Sequence, residues 1–529
     1  MALSESKNVK LGIIISYISL VVTIVGNIFV TRYVLSAVGD YNFGLSSFVT
    51  SVSVWLTIIG EALTLSFVRF ATIEQKNYGS ENQTKTLFNL IFKVLAAIII
   101  VGAGITLLVC RLNNVLLFNY PKESSDILYV LFVFSIIQIG MSTAFTLYPI
   151  VVNYRRKFVF SKGMVLLVNI LTFFGHWLFA YLTKNIVYVA LTGIIVTGIN
   201  LFTQFLYVKL ALKEKGFYKT KIVDKTLLRS LTIFSGILIL DIIVGQLNNH
   251  IDKTILGVMG RPEDVTIYQI GQQFSSYLVL LSASIAAVFI PITNEYVVHN
   301  QNDKINDLFI KVSRLQIIVI STVVFGFLTC GREFIFLWLG EGKLASYYIG
   351  AAWLFIFLCP ETMNFTLEVQ RARNKHFFRF FAFLLLAFIN IGLTILFIHL
   401  FPKDKVIYAC LLGSVIGCIL SNWIALNLYN GIKMKLPIPK YLMYLFIHIG
   451  AGLACFGVVY LIYRFTPLYN SHNYWMLFFL KGFLFVLLYG ALLFIFDGKY
   501  LKGILIGYKN RKKGQTEPTP EPVPETVQE

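Results

Sequence analysis

The sequence predicts an all-α membrane protein: about fourteen transmembrane helices, in two pseudo-symmetric six-helix bundles followed by two C-terminal helices. Three observations carry this reading. Of 529 residues, 57% are hydrophobic and 13% charged, whereas soluble domains are nearer 25% charged. Apolar runs of about 20 residues, enough to cross a bilayer, recur along almost the whole chain. A single sequence offset also relates the end of the first run to the end of the seventh. Water has no means of covering so much apolar surface, so soluble multidomain, disulfide-framework and disordered chains are excluded.

The candidate helices, in order, are 11–34, 44–70, 87–110, 127–152, 162–183, 187–210, 230–253, 265–291, 308–330, 347–370, 378–401, 406–429, 441–463 and 474–497. The first follows Lys7 and Lys10. It is too long for a signal-peptide core and lacks a small-x-small cleavage site, so it reads as a spanning helix. The expected organisation is a first bundle over 1–229, a second over 230–440, helices 13 and 14 over 441–497, and a cytoplasmic tail over 498–529. The tail is basic to Lys513, then alternates Glu517, Glu521, Glu525 and Glu529 with Pro518, Pro520, Pro522 and Pro524. Proline removes helix donors and the segment has little to bury, so disorder is expected there.

Charge sets the expected orientation. The chain has 45 Lys and Arg against 26 Asp and Glu. With the N-terminus in the cytoplasm, most of the bases collect on the even connections and the termini. Examples are Arg155, Arg156 and Lys157; Lys213 through Arg229; Arg371, Arg373 and Lys375; Lys433, Lys435 and Lys440; and Lys509 through Lys513. This is the positive-inside pattern, and its persistence to the end supports an even helix count with both termini inside. Cys110, Cys330, Cys359, Cys410, Cys418 and Cys455 fall in or at the ends of apolar runs without metal-ligand spacing, as small fillers do. His176, His250, His399 and His448 are scattered and read as structural or interfacial.

The repeat is short but ordered. Asn27, Thr31-Arg32, Leu35 and Gly39 in helix 1 match Asn248, Asp252-Lys253, Leu256 and Gly260 in helix 7. Six helices per repeat keep both copies in one orientation, which implies a pseudo-twofold axis along the membrane normal and a cavity between the bundles. Charge inside a membrane is costly and marks a lumen or a partner. On helix 7, Asp241, Gly245, Asn248 and Asp252 form one stripe at helical spacing. It is either cavity lining or an interhelical hydrogen-bond seam. Helix 1 repeats the stripe in milder form with Ser16, Thr23 and Asn27.

Arg32 and Lys253 close these two helices and either face an anion path or snorkel to the headgroups. Arg69 closes helix 2, with Glu61 two turns earlier; Glu361 and Glu368 share a face of helix 10 beside Pro360. The candidate anion path is therefore Arg32, Lys253, Arg69, Asn27, Asn248 and Asn249. The candidate coupling or gating acids are Asp241, Asp252, Glu61 and Glu361. Pro149 and Pro291 also fall within spans, where proline is common.

No Walker A, GxSxG, HExxH or dinucleotide fingerprint occurs in a plausible context, so an enzyme or an ATP-driven pump is not expected, and no cofactor or metal either. Four stretches resemble a known family. They are TRYVLSAVGDYNFGL, Arg32 through Leu45 with Thr31 before it; Phe67-Val68-Arg69-Phe70-Ala71; NHIDKTILG, Asn249 through Gly257, followed by Tyr268; and Leu337-Trp338-Leu339-Gly340. In order and placement they resemble the Wzx-type O-antigen flippases of the multidrug/oligosaccharidyl-lipid/polysaccharide exporter superfamily.

That resemblance implies alternating-access transport of undecaprenyl-pyrophosphate-linked oligosaccharide across the bacterial cytoplasmic membrane. A cationic lumen would pass the headgroup while the polyprenyl tail stays in lipid. It also implies membrane lipids, an H+ or Na+ coupling ion, and a polysaccharide polymerase or chain-length regulator as partners. The lipid II flippases and the cation-coupled multidrug exporters are sibling readings. A membrane-embedded glycan transferase or polymerase, and a non-transporting scaffold, are readings from other classes.

Overall fold

The computed structural model describes residues 5–113, 115, 117, 120–214, 225–373, 375, 377–402, 405–466 and 473–512. The acidic proline tail and Lys215, Lys219 and Lys221 of the basic connection lie outside this set. Every regular element described is helical. Among the described residues, twelve helices have the length and apolarity to cross a membrane, and one bent pair qualifies jointly. The first of the twelve is 63 residues long, Ile14–Lys76. At 1.5 Å per residue that is about three bilayer cores, and the helix breaks at Gly39 (φ 78°, ψ 165°). Gly39 alone turns helix 1 into helix 2, because only a residue without Cβ takes up this geometry without strain. Divided there, the described residues hold fourteen candidate spans, the bent pair counted as one.

Helix 1 thus covers 5–38 and helix 2 covers 40–78, with a 3-10 turn at Val54–Thr57. Helix 3 runs Asn82–Ile98 and continues through a π turn to Leu112; helix 4 is Lys122–Phe145 plus Leu147–Tyr154. Helix 5 is Phe158–Thr183, helix 6 Ile186–Leu206, helix 7 Lys225–Met259, and helix 8 Pro262–Ala287 plus Ile290–Val298. Helix 9 is Asn302–Leu339, helix 10 Leu344–Thr362 plus Phe365–Ala372, and helix 11 Phe377–Leu400. Helix 12 spans Val406–Cys418 to Leu426–Ile432 through a π segment, helix 13 is Ile438–Phe465, and helix 14 is Tyr474–Lys512. The side of the bilayer where helix 1 starts is called the near face, and the side of Gly39 the far face.

Proline places two of the breaks. It cannot donate to the carbonyl four residues back and its ring collides with it. Helix 4 stops at Phe145, four before Pro149, and helix 8 stops at Ala287, four before Pro291, where the two pieces meet at 54°. In helix 10 the carbonyl left free by Pro360 is that of Ile356, and it accepts Trp423 Nε1 of helix 12 at 3.0 Å.

Packing pairs repeat after six helices. Helix 1 packs on 5, 3 on 4, 4 on 6 and 5 on 6; in the second half 7 packs on 11, 9 on 10, 10 on 12 and 11 on 12. The halves meet at the far face through an interlocked seam. Gly44 lies against the Pro262 carbonyl and Gly257 against Phe48. Thr266 Oγ1 donates to Asp40 O at 2.6 Å, Trp338 Nε1 to Ile28 O at 2.8 Å, and Tyr120 OH to Gly257 O. Lys343 pairs with the Asp40 carboxylate. Small residues suit such a seam, since helices in lipid associate by close van der Waals approach. Toward the near face the halves touch through Ser66 and Ser235 (2.9 Å) and through Arg69, whose guanidinium lies 4.3 Å from the Phe234 ring centre.

Helices 13 and 14 share one hydrophobic core with helices 9 and 10. Two polar bolts fix them. Arg314 Nε reaches Asp497 Oδ1 at 2.5 Å and His448 Nε2 reaches Oδ2 at 2.9 Å; nearer the far face, Lys481 Nζ reaches Glu333 Oε1 at 2.7 Å and lies 3.8 Å from the Tyr463 ring centre. Removing one partner of a buried pair strands the other, at about 3–5 kcal/mol. Asp497→Ala is therefore expected to lower the unfolding free energy in detergent by about that much; an unchanged melting curve would refute the bolt.

The near face of the first half carries a buried ion network. Lys85 pairs with Glu81 (2.8 Å) and Glu214, and Arg155 bridges the same two carboxylates. Burial raises the Glu214 pKa, but Arg155 and Lys85 more than reverse this and hold it below its ordinary 4.5. A carboxylate depressed on folding stabilises above its unfolded pKa and loses that contribution as pH falls through the folded value. Stability of the wild type should fall below about pH 4.5, and Glu214→Gln should flatten that part of the pH–melting profile.

Candidate functional site in the second six-helix bundle

Helix 7 turns its amides into a cavity of about 250 Å³ inside the second half. Gly245, Asn248 and Asn249 form one wall; helix 10 adds Trp353, Pro360 and Glu361, helix 11 adds Arg379 and Asn390, and helix 12 adds Ser414 and Asn422. Glu361, just before the break of helix 10, lies on this wall, 8% exposed. Its Oε2 accepts from Asn364 Nδ2 at 3.4 Å, and its backbone carbonyl accepts Ser282 Oγ of helix 8 at 2.6 Å. Arg379 stands three residues into helix 11, its guanidinium 5.0 Å from the Phe383 ring centre. Asn248 Nδ2 and Asn422 Oδ1 are buried without a hydrogen-bond partner. An unused donor from helix 7 and an unused acceptor from helix 12, both lining this cavity, call for a polar occupant. The set suits an oxyanion at Arg379 and hydroxyls at the amides.

Asp252 is placed differently. It is 2% exposed and accepts from Tyr268 OH and Ser414 Oγ, each at 2.5 Å. Tyr268 belongs to helix 8 and Ser414 to helix 12, so this acid ties three helices together one turn beyond the cavity. Lys253 is 8% exposed and donates to Gln269 Oε1 at 2.8 Å. Its sequence counterpart Arg32 is exposed and donates to Leu337 O at 3.3 Å. The repeat therefore equates backbone positions and leaves the surroundings different.

The structure thus gathers Asn248, Asn249 and Glu361 around one cavity, whose lining does not include Asn27, Arg32, Glu61, Arg69, Asp252 or Lys253. Asn27 is half-buried on helix 1. Glu61 is exposed and accepts from Thr57 Oγ1 at 2.7 Å; Arg69 is exposed against Phe234. Asp241 lies on helix 7, with its side chain outside the described residues. Thr23, from the helix 1 stripe, is taken up by an interhelical bond from Asn169 Nδ2 at 2.8 Å. Arg379, Asn390, Ser414 and Asn422 escaped the sequence reading. Arg379 had a signal: it is a base with two phenylalanines on each side, 377–381, within an apolar run.

A second cavity, of about 350 Å³, occupies the first half. Ser46, Thr50, Ser135, Gln138, Thr172, His176 and Thr197 line it, and Gln138 Nε2 donates to Thr197 Oγ1 at 3.2 Å. His176 is therefore a cavity residue. Helices 2, 4, 5 and 6 enclose this space; a shift of six gives 8, 10, 11 and 12, which with helix 7 enclose the other. These two cavities lie one within each half.

No family model matches the sequence, and no curated relative matches it. Solved structures do match. A lipid II flippase MurJ, in an inward closed conformation, superposes with a TM-score of 0.70 at 16% identity, covering 92% of this chain and 99% of its own. A point mutant of the Vibrio cholerae MATE transporter VcmN gives 0.54 at 15% identity, covering 83% and 99%. A MOP superfamily transporter from Pyrococcus furiosus gives 0.58 at 11%, covering 82% and 97%. This multi-pass membrane chain accordingly has the fold shared by the MurJ and MATE transporters.

Proposed function

We propose that this protein is a flippase that carries undecaprenyl-pyrophosphate-linked oligosaccharide from the cytoplasmic to the outer leaflet of the bacterial inner membrane by alternating access. The observation that supports this most is the membrane-embedded cavity holding Arg379, Glu361 and a wall of amides. Hydrocarbon satisfies neither a pyrophosphate nor sugar hydroxyls. A guanidinium grips phosphate oxygens in pairs, and amides serve hydroxyls in both hydrogen-bonding senses. In this reading Arg32, Arg69 and Lys253 bias the two ends of the path toward anions. Glu361, Asp252, Asp241 and Glu61 are the candidates for ion coupling. Moving two negative charges outward across an inside-negative potential adds roughly 4–5 kcal/mol per 100 mV of drive.

The likeness to a lipid II flippase supports a second reading, in which the carried headgroup is the peptidoglycan precursor. Proteoliposomes distinguish the two. A fluorescent undecaprenyl-pyrophosphate oligosaccharide should become accessible across the bilayer at least about tenfold faster with the protein than without it. Faster movement of lipid II would favour the second reading. Export of cationic dyes with no movement of either lipid would refute both.

A further inference from the structure

The near face of the second half holds a cavity of about 710 Å³ that the transport reading does not use. Arg373, Lys375, Lys433 and Lys435 surround it, against one acid on its wall, Asp303. Arg373 is aimed by two hydrogen bonds, from Nη1 to Met434 O at 2.8 Å and from Nη2 to Asn302 Oδ1 at 2.6 Å. Lys375, Lys433 and Lys435 are exposed. Asn306 Oδ1 on the same wall is buried without a partner. Like charges this close repel one another, and an anionic occupant relieves that repulsion.

Helix 14 brings such an occupant to the spot. It runs antiparallel to helix 9, with Tyr500 OH donating to Lys311 O at 2.6 Å. Asn302 and Asp303, at the start of helix 9, lie about 12–14 Å further toward the near face. An equal length of helix 14 ends near Lys509, just before the last described residues of that helix. The tail therefore leaves at the level of the basic cavity, one helix away. From Gly514 on it carries Glu517, Glu521, Glu525 and Glu529 and no base. Five extended residues beyond Lys512 reach about 17 Å, enough to bring Glu517 to the rim. The geometry points to this cavity as the docking site of the chain's own acidic proline-rich tail, 514–529.

The test uses the full-length protein in phosphatidylcholine nanodiscs, with a photo-crosslinking benzoylphenylalanine in place of Val523. Crosslinks should map to 297–306, 372–375 and 433–435. Their yield should fall at least about tenfold in Lys433→Glu/Lys435→Glu or at high salt. Adding Glu517→Lys/Glu521→Lys/Glu525→Lys should restore it. Should the lysine variants fail to fold, Glu517→Gln/Glu521→Gln/Glu525→Gln, which leaves the helices intact, must give the same loss. Crosslinks that map elsewhere or to a second copy, or that survive neutralisation of the tail, would overturn the assignment. So would their disappearance when phosphatidylglycerol replaces phosphatidylcholine, which would make an anionic lipid headgroup the occupant.

Discussion

Arg379→Gln is expected to cut headgroup translocation by about 10–100-fold, the value of one or two charge-assisted hydrogen bonds to a phosphate at 1.5–3 kcal/mol. Arg379→Lys should recover only part of this, because an ammonium offers a point charge where the guanidinium offers a planar fork. Stability and transport should then separate. Glu361 lines the same cavity, and losing the nearby Arg379 charge makes its ionised form costlier to bury, so Arg379→Gln should also lower the melting temperature. The double variant Arg379→Gln/Glu361→Gln removes both charges and should melt near the wild type, while its transport stays low. Translocation assays and detergent melting curves on the three variants check this. If the double variant transports normally, the two charges serve the fold alone and the cavity is not the headgroup site.

The architecture was legible because bilayer thickness and hydropathy act locally. Each span announced itself by its own composition, and Gly39 and Gly260 marked the ends of helices 1 and 7 at matching positions. Details that depend on neighbours were not legible. The stripe Asp241, Gly245, Asn248, Asp252 has one periodicity, yet Gly245 and Asn248 line the cavity while Asp252 is buried against Tyr268 and Ser414. Nothing within helix 7 shows where helix 12 will deliver a hydroxyl. Arg379 was hidden for another reason. A base near the near-face end of a helix satisfies the positive-inside pattern whether it faces headgroups or a cavity. The proline at 360 was visible, but its consequence needed Trp423, 63 positions later, to cap the freed Ile356 carbonyl. The docking of helices 13 and 14 on the second half was not legible either, because their bolts, Asp497 and Lys481, have partners on helix 9, far away in sequence.

Gly44→Val should have the other large effect, through the seam and not through the cavity. A Cβ at Gly44 would fall inside the Pro262 carbonyl group and 2.9 Å from Thr266 Oγ1. The first obstacle is backbone at the start of helix 8, so no rotamer change relieves it. Overpacking of this kind costs about 1–3 kcal/mol, which shifts an equilibrium between closed and parted far faces by roughly 5–150-fold. Each half keeps its own packing pairs, so the variant should insert and fold, with the strain expressed as separation of the halves at the far face. Transport requires both faces to close in turn, and it should drop by a similar factor. Thr266 is fully buried in the seam. With Cys110 replaced by serine, Thr266→Cys in nanodiscs should resist a membrane-impermeant maleimide when residue 44 is glycine and react when it is valine. A protected Thr266→Cys together with undiminished transport in Gly44→Val would mean that the far-face seam does not open during the cycle, and alternating access would have to be built on some other joint.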